Sequence, residues 1–172
     1  RGLKVLLVER HDLATGATGR NHGLLHSGAR YAVTDRESAE ECIKENMILR
    51  KIARHCVEET EGLFLTLPED DLAYQTKFVE SCLAAGIRAD VIDPKEALRM
   101  EPSANPDIIG AVKVPDGAVD PFRLTSANVI DAKLHGAKVL VYSEVTSLIK
   151  DGDTIKGVVV YNHITKQKEE YY

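Results

Sequence analysis

The chain has 172 residues and a formal net charge of −5. That length leaves room for a sizeable core, and the charge argues against nucleic acid as the main partner, because phosphate backbones require clustered lysine and arginine. No stretch approaches the about 18 apolar residues of a membrane span, and no signal peptide is recognisable, so we expect a cytoplasmic protein. The three cysteines have neither disulfide-framework nor metal-site spacing, and no metal is expected.

The first predicted element is a strand at Val5–Val8. Its continuous apolar run indicates burial on both faces within a parallel sheet. Glu9 ends the strand, and a loop rich in glycine, threonine and alanine follows as far as residue 35. A long helix is then predicted from Glu37 to Glu61, with small and apolar residues along one face and Gly62 as its stop signal.

Helices and strands alternate through the rest of the chain. The predicted elements are a strand at Leu63–Leu67, a helix at Glu69–Ala85, a helix from Asp93-Pro94 to Met100, a strand at 108–114, a helix from Asp120-Pro121 to His135 and a strand at Lys138–Tyr142. Two further strands flank Asp151-Gly152-Asp153, a hairpin signal. The tail at Lys166–Glu170 receives no assignment. The pattern predicts a mixed α/β fold with a β-rich insertion and a C-terminal β-meander.

Glu9 and the loop after it are the first candidate functional residues. In a dinucleotide-binding βαβ unit, the acid that closes the second strand accepts hydrogen bonds from ribose hydroxyls. The loop Ala14–Gly19 offers accessible N–H groups and two hydroxyls, which suit phosphate oxygens or the polar edge of a planar ring. The alternatives are a solvated glutamate and a flexible surface loop, and composition alone does not separate them.

The glycine-rich turn of such a fold is absent from this sequence. The pattern G-x-G-x-x-G, which leads from a first strand into a helix whose N-terminus holds pyrophosphate, occurs nowhere in it. Arg1-Gly2 is interpreted as the end of the helix that would follow that turn. We therefore expect the chain to be an internal piece of a longer protein that begins just before a second strand.

Two long stretches resemble the FAD-dependent glycerol-3-phosphate dehydrogenases of the D-amino-acid-oxidase-like flavoprotein superfamily. They read LLVERHDLATGATGRNHGLLHSGARY and DGAVDPFRLTSANVIDAKLHGAKVL, and the segment Gly19-Arg20-Asn21-His22-Gly23 favours the anaerobic type. The resemblance implies an incomplete Rossmann-like FAD-binding domain at 1–62 and 119–172, with part of a substrate domain inserted at 63–118.

The resemblance also implies roles for individual residues. Glu9 matches the acid that binds the adenosine ribose of FAD, and Val145 matches the residue whose backbone meets the adenine. The loop residues that match the passage from pyrophosphate to flavin are Thr15, Thr18 and Gly19, with either Arg20 or Asn21 contacting the flavin. The segment beside the isoalloxazine ring is matched by His26, Ser27 and Gly28.

Arg30 matches an arginine that grips the substrate phosphate, and Tyr31 is its neighbour in the pocket. A guanidinium meets phosphate oxygens bidentately and stays charged at every working pH; the alternative role is a surface salt bridge. His26 is a candidate for direct proton abstraction, and it could equally be a structural histidine that hydrogen-bonds its own loop.

The reaction implied is oxidation of glycerol 3-phosphate to dihydroxyacetone phosphate by hydride transfer to FAD. The resemblance further implies electron-transfer subunits, a quinone acceptor and a peripheral position at the cytoplasmic membrane. Two alternatives remain: an FAD-dependent 2-hydroxy-acid or amino-acid oxidase of the same superfamily, and a non-catalytic module that self-associates through the unpaired edge of Val5–Val8. Without the pyrophosphate turn, we expect the piece alone not to retain FAD.

Overall fold

The computed structural model describes residues 2–172, and Arg1, part of the interpreted helix end, lies outside them. Their helices are α1 (Arg36–Ile52), α2 (Leu72–Ala84), α3 (Pro94–Met100) and α4 (Pro121–Leu134). Their strands are β1 (Leu6–Val8), β2 (Leu24–Leu25), β3 (Val57–Glu58), β4 (Gly62–Thr66), β5 (Asp90–Ile92), β6 (Gly110–Val114), β7 (Gly117–Val119), β8 (Lys138–Leu140), β9 (Ser143–Asp151), β10 (Thr154–Asn162) and β11 (Lys168–Tyr171). None of the described helices combines the length and the apolarity needed to cross a membrane.

The described residues pack into two compact units. The first consists of the chain up to His22 together with Pro121–Tyr172, and the second is Gly23–Asp120. The mixed α/β class with a β-rich middle and a C-terminal meander is confirmed. The division of roles at residues 62 and 118 stays a prediction.

In the first unit, β1 pairs in parallel with β8, and Leu7 lies opposite Val139. The expected burial of this strand on both faces is wrong for the described residues, because Val5 and Leu7 are 52% and 43% exposed. A parallel sheet hides both faces only when helices cover each of them, and α4 is the one α-helix of this unit among the described residues. Self-association through this strand stays a prediction.

The C-terminal part of the first unit is the meander, in the order β11–β10–β9. β9 and β10 form the expected hairpin, and Gly152 at its tip has a φ of +58° that suits glycine. The unassigned tail forms β11, which pairs with β10. The register of β9 against β10 shifts between Val159 and Val160, a β-bulge that locally re-aims the backbone of β9.

The second unit contains two antiparallel sheets, in the orders β4–β6–β5 and β2–β7–β3. Its core lies between α2 and β6, where Phe78 and Cys82 pack with Val112 and Val114. The ring of Phe64 on β4 lies 4.6 Å from that of Phe78, centroid to centroid, so α2 is fixed onto its sheet.

The long helix predicted to reach Glu61 is shorter in the structure. It begins where Asp35 caps the backbone N–H of Ser38, at 3.1 Å, and it ends at Ile52. The chain then makes a 3-10 turn at Arg54–Cys56 and enters β3, which pairs with β7. Valine prefers strands, and pairing with a distant strand outweighs the helical pattern.

Cys82 supplies a first testable consequence of this packing. Its side chain is fully buried, and burial, with a smaller contribution from Asp116, raises the pKa of the thiol from 9.0 to about 11. Because only the thiolate reacts, Cys82 should resist alkylation by iodoacetamide at pH 8 in the native protein and react after unfolding. Between about pH 9 and about pH 11 this thiol ionises in the unfolded state but stays protonated in the folded state. The free energy of unfolding should therefore fall as the pH rises through that range. Peptide mass spectrometry measures the first effect, and rapid labelling of native Cys82 would contradict it.

Candidate functional site

Glu9 lies directly after β1, at the carboxyl end of the two-stranded sheet. Its backbone N–H donates to the carbonyl of Leu140 at 2.8 Å, and its carbonyl accepts from the N–H of Ser143 at 2.9 Å. The carboxylate oxygen Oε1 accepts from the N–H of His11 at 2.7 Å. The acid is therefore fixed against the end of β8 and the start of β9.

The loop after Glu9 is held by its own hydrogen bonds. The Thr15 hydroxyl donates to the carbonyl of Asp12 at 3.1 Å, and the carbonyl of Thr18 accepts from Asn21 Nδ2 at 2.6 Å. A side chain at Gly19 would collide with the carbonyl oxygen of Ala14 and with the Phe122 ring. The loop can adopt this path against α4 only with glycine there.

Thr15, Thr18 and Arg20 are exposed on this loop. The structure describes no carboxylate within ion-pair distance of Arg20. The exposed donors that this loop offers to phosphate oxygens are the Thr18 hydroxyl and the Arg20 guanidinium, whereas the Thr15 hydroxyl donates to Asp12.

Val145 lies on β9, at the bulge opposite Val160. A cavity of about 530 Å³ lies beside it, and its lining is mainly apolar: Leu6, Val8, Val145, Ile155, Lys156, Gly157, Val158, Tyr171 and Tyr172. Leu6 and Val8 of β1 line this cavity, and Glu9 follows Val8 directly in the chain. The arrangement could receive a flat apolar ring next to a hydroxyl-bearing group.

Tyr142 and Asp12 form a contact that no sequence motif indicates. The Tyr142 hydroxyl donates to Asp12 Oδ2 at 2.8 Å. This bond lowers the pKa of the Asp12 carboxyl and raises the pKa of the Tyr142 hydroxyl, since it stabilises the carboxylate and uses the phenol proton. It joins the loop after β1 to the corner before β9.

In the second unit, three candidate side chains stand together. The ring of His26 lies edge-on to that of Tyr31, with centroids 6.0 Å apart, and Arg30 Cζ lies 5.4 Å from the centroid of the same tyrosine. His26 Nδ1 is buried, and it has no hydrogen-bond partner among the described residues. Arg30 is exposed, and no described carboxylate lies within ion-pair distance of it. The surface salt bridge considered for Arg30 is therefore not formed within residues 2–172.

The backbone at Ser27 and Gly28, between His26 and Arg30, is fixed by contacts with Asp116 and α1. The N–H of Ser27 donates to Asp116 Oδ1 at 2.6 Å, and Asp116 is only 8% exposed. Gly28 has a φ of +88°, and a Cβ there would lie 2.7 Å from the Cβ of Cys42. A charge-assisted hydrogen bond and a close approach to α1 together fix this turn.

A second layer of polar contacts holds Asp116 in place. Asn46 Nδ2 on α1 donates to the carbonyls of Leu25 and Pro115, at 3.0 and 3.3 Å. Arg50 Nη2 donates to the carbonyls of Pro115 and Asp116, at 3.0 and 2.9 Å. One hint of this network is visible in the sequence, an asparagine among the apolar positions of α1, where a polar side chain needs buried partners.

The sequence-derived candidates thus fall into two groups. The first unit holds Glu9, Thr15, Thr18, Gly19, Arg20, Asn21 and Val145, and the second holds His26, Ser27, Gly28, Arg30 and Tyr31. The residues that support them were not predicted from the sequence: Asp12, Asn46, Arg50, Asp116 and Tyr142. The roles of all these residues in binding remain proposals.

Comparison with known proteins identifies a matching family and a similar relative. The family model for FAD dependent oxidoreductases matches residues 1–171. Over 169 residues, or 98% of the chain, the sequence is 67% identical to one subunit of the anaerobic glycerol-3-phosphate dehydrogenase of Escherichia coli (strain K12). The chain spans 31% of the length of that relative.

Solved structures share the fold. The L-proline dehydrogenase from P. horikoshii superposes with a TM-score of 0.73 and 27% identity, covering 93% of this chain and 43% of that one. The glycerol-3-phosphate dehydrogenase from Bacillus halodurans, solved in complex with FAD, superposes with a TM-score of 0.70 and 22% identity, covering 100% of this chain and 28% of that one.

Proposed function

The chain belongs to the FAD dependent oxidoreductase family, and we propose that the full-length protein oxidises glycerol 3-phosphate to dihydroxyacetone phosphate with FAD. The observation that carries the choice of substrate is the Arg30 guanidinium, which is held over Tyr31 with no described carboxylate partner. A dianionic phosphate is the ligand that such a planar fork binds best. The name of the Escherichia coli relative supports the same substrate.

The residues of the first unit are proposed to contact the adenosine, the pyrophosphate and part of the flavin of FAD. Glu9 offers a carboxylate for ribose hydroxyls at the strand end, and the mainly apolar cavity beside Val145 suits the faces of an adenine ring. Thr15, Thr18 and Gly19 would line the path of the pyrophosphate. Arg20 and Asn21 are both proposed neighbours of the flavin, and of the two only Arg20 would bring a positive charge to it.

The second unit fits the reacting end of the cofactor and the substrate. His26 Nδ1, a buried polar atom without a described partner, supports a bound group at this position, because orphaned buried nitrogens are rare in folded proteins. Ser27 and Gly28 would place their backbone beside the flavin ring, and Asp116 holds that backbone still. When bound, FAD supplies the acceptor for the hydride that leaves C2 of the substrate.

The chain's own residues would then bind, orient and deprotonate the substrate. Arg30 would grip the phosphate, and Tyr31 would keep the guanidinium in position through its ring. His26 would accept the proton of the C2 hydroxyl on its imidazole ring as the alcohol becomes a ketone. The edge-on contact with Tyr31 orients the imidazole for this role.

The proposed partners and location follow the Escherichia coli relative, whose name makes it one subunit of its enzyme. We propose electron-transfer subunits that pass electrons from the flavin to quinone. The protein would then lie at the cytoplasmic face of the membrane through those subunits. Copurification of tagged full-length protein, followed by quinone reduction by the purified assembly, tests this arrangement.

One alternative has its own support: the likeness to L-proline dehydrogenase favours an amino acid as substrate. Steady-state turnover of the full-length protein separates the two candidates when glycerol 3-phosphate, L-proline and 2-hydroxyglutarate are compared with an artificial electron acceptor. We expect glycerol 3-phosphate to give the highest kcat/KM. A higher kcat/KM for either of the other substrates would overturn the proposed function.

A further inference from the structure

We propose that Tyr142 is a positioning residue for the adenosine half of the cofactor, because it fixes the segment from Glu9 to Thr15 against the start of β9. This inference rests on the proposed function, since it takes Glu9 as the ligand of the ribose. Neither of the two stretches that resemble the flavoprotein family includes Tyr142.

Tyr142 and its neighbour hold that segment at three points. The Tyr142 hydroxyl donates to Asp12 Oδ2 at 2.8 Å. The N–H of Tyr142 donates to the carbonyl of His11 at 2.8 Å, and the N–H of Ser143 donates to the carbonyl of Glu9 at 2.9 Å. The corner at 142–143 thus forms hydrogen bonds with Glu9, His11 and Asp12.

The backbone of Tyr142 is in an unusual state. Its φ is +50°, in the left-handed region that residues with a side chain rarely adopt. The conformation is held from the other side as well, because the carbonyl of Tyr142 accepts from the N–H of His163 at 2.7 Å. Strain of this kind persists where surrounding contacts determine it, and such positions concentrate near functional sites.

The contacts form a path from Tyr142 to the ribose-binding acid. Glu9 Oε1 accepts from the N–H of His11, so the orientation of the carboxylate depends on the position of His11. That position is set by the backbone bond to Tyr142 and by the neighbouring Asp12, which also caps the N–H of Leu13 at 2.8 Å. Release of Asp12 would loosen the loop while the backbone bonds keep the fold.

The test measures FAD binding to the apo form of the full-length protein by flavin fluorescence. Tyr142→Phe, which removes only the hydroxyl, should raise the Kd of FAD about five-fold. Asp12→Ala should raise it at least as much, and the double variant should be no worse than Asp12→Ala alone, because both changes remove the same contact. The unfolding midpoint of the apoprotein should change little in Tyr142→Phe.

Tyr161→Phe is the matched control. It removes a hydroxyl from β10 of the same unit, where the structure describes no hydrogen bond from that group, and its Kd should equal that of the wild type. An unchanged Kd in Tyr142→Phe, or an equal rise in Tyr161→Phe, overturns the inference and leaves the proposed function standing if Glu9→Gln weakens FAD binding. If Glu9→Gln has no effect, the inference fails together with the cofactor assignment.

Discussion

Gly28→Ala should destabilise the second unit by about 3 kcal/mol, because it combines backbone strain with a collision. The φ of +88° disfavours any side chain, and the new Cβ would lie 2.7 Å from the Cβ of Cys42 and 2.8 Å from the carbonyl oxygen of Ala39. Neither neighbour is the flexible end of a long side chain, so α1 itself would have to move. The turn that carries Ser27 would move with it.

Urea denaturation of the full-length protein, followed by circular dichroism, measures this loss. Gly86→Ala is the matched control, because Gly86 has a similar φ of +79° but no atom within 4 Å of the place that a new methyl group would occupy. That variant should lose only about 1 kcal/mol, the contribution of strain alone. Equal losses in the two variants would show that the close approach of Gly28 to α1 is unimportant.

Arg30→Ala should raise the KM for glycerol 3-phosphate about 100-fold, the effect of losing a bidentate, charge-assisted contact to phosphate. The content of bound FAD should stay at the wild-type level, because Arg30 is proposed to contact the substrate and not the cofactor. The KM of Arg30→Lys should lie between those of the wild type and Arg30→Ala, because an ammonium keeps the charge and loses the planar pair of donors. Steady-state kinetics and the visible flavin absorbance measure these effects.

The control for Arg30 is Arg36→Ala. Arg36 is an exposed arginine of the same unit that pairs with Glu40 at 2.7 Å, and its loss should leave the KM unchanged. If Arg30→Ala releases FAD while the KM for the remaining holoenzyme stays normal, then Arg30 belongs to the cofactor site and the choice of substrate loses its main support.

Local sequence signals are sufficient to predict elements whose ends are marked by capping or turn residues. Asp93-Pro94 predicts the start of α3, and Asp151-Gly152-Asp153 predicts the hairpin of β9 and β10; both are confirmed. The apolar run that ends at Glu9 predicts β1, and that element is confirmed as well. In each case the deciding residues lie within a few positions of one another.

Elements that depend on distant partners are not visible in the same way. β2, β3 and β7 have two or three residues each, too few to show a period, and they exist because β7 pairs with the other two. The early end of α1 has the same cause, since β3 begins where the helical pattern would have continued. Tertiary pairing overrides local propensity at these positions.

The residues of the candidate site also differ in how far they could be predicted from local sequence. The motif order places Glu9 at a strand end and Arg30 close to His26, and these neighbours are close in sequence. The contact of Tyr142 with Asp12 joins positions 130 residues apart, and that of Asp116 with Ser27 joins positions 89 residues apart. Only the fold brings such partners together, so the proposed binding residues could be predicted from local motifs and their supports could not.

The binding of FAD by full-length Glu9→Gln protein tests the central claim most directly. The exchange keeps the size of the side chain and removes its charge, so we expect the Kd of FAD to rise about ten-fold, as charge-assisted hydrogen bonds to the ribose become neutral ones. Glu69→Gln, a change at an exposed acid of the other unit, should leave the Kd unaltered. Wild-type affinity in Glu9→Gln would contradict the claim that this carboxylate, at the end of β1, faces the ribose of FAD.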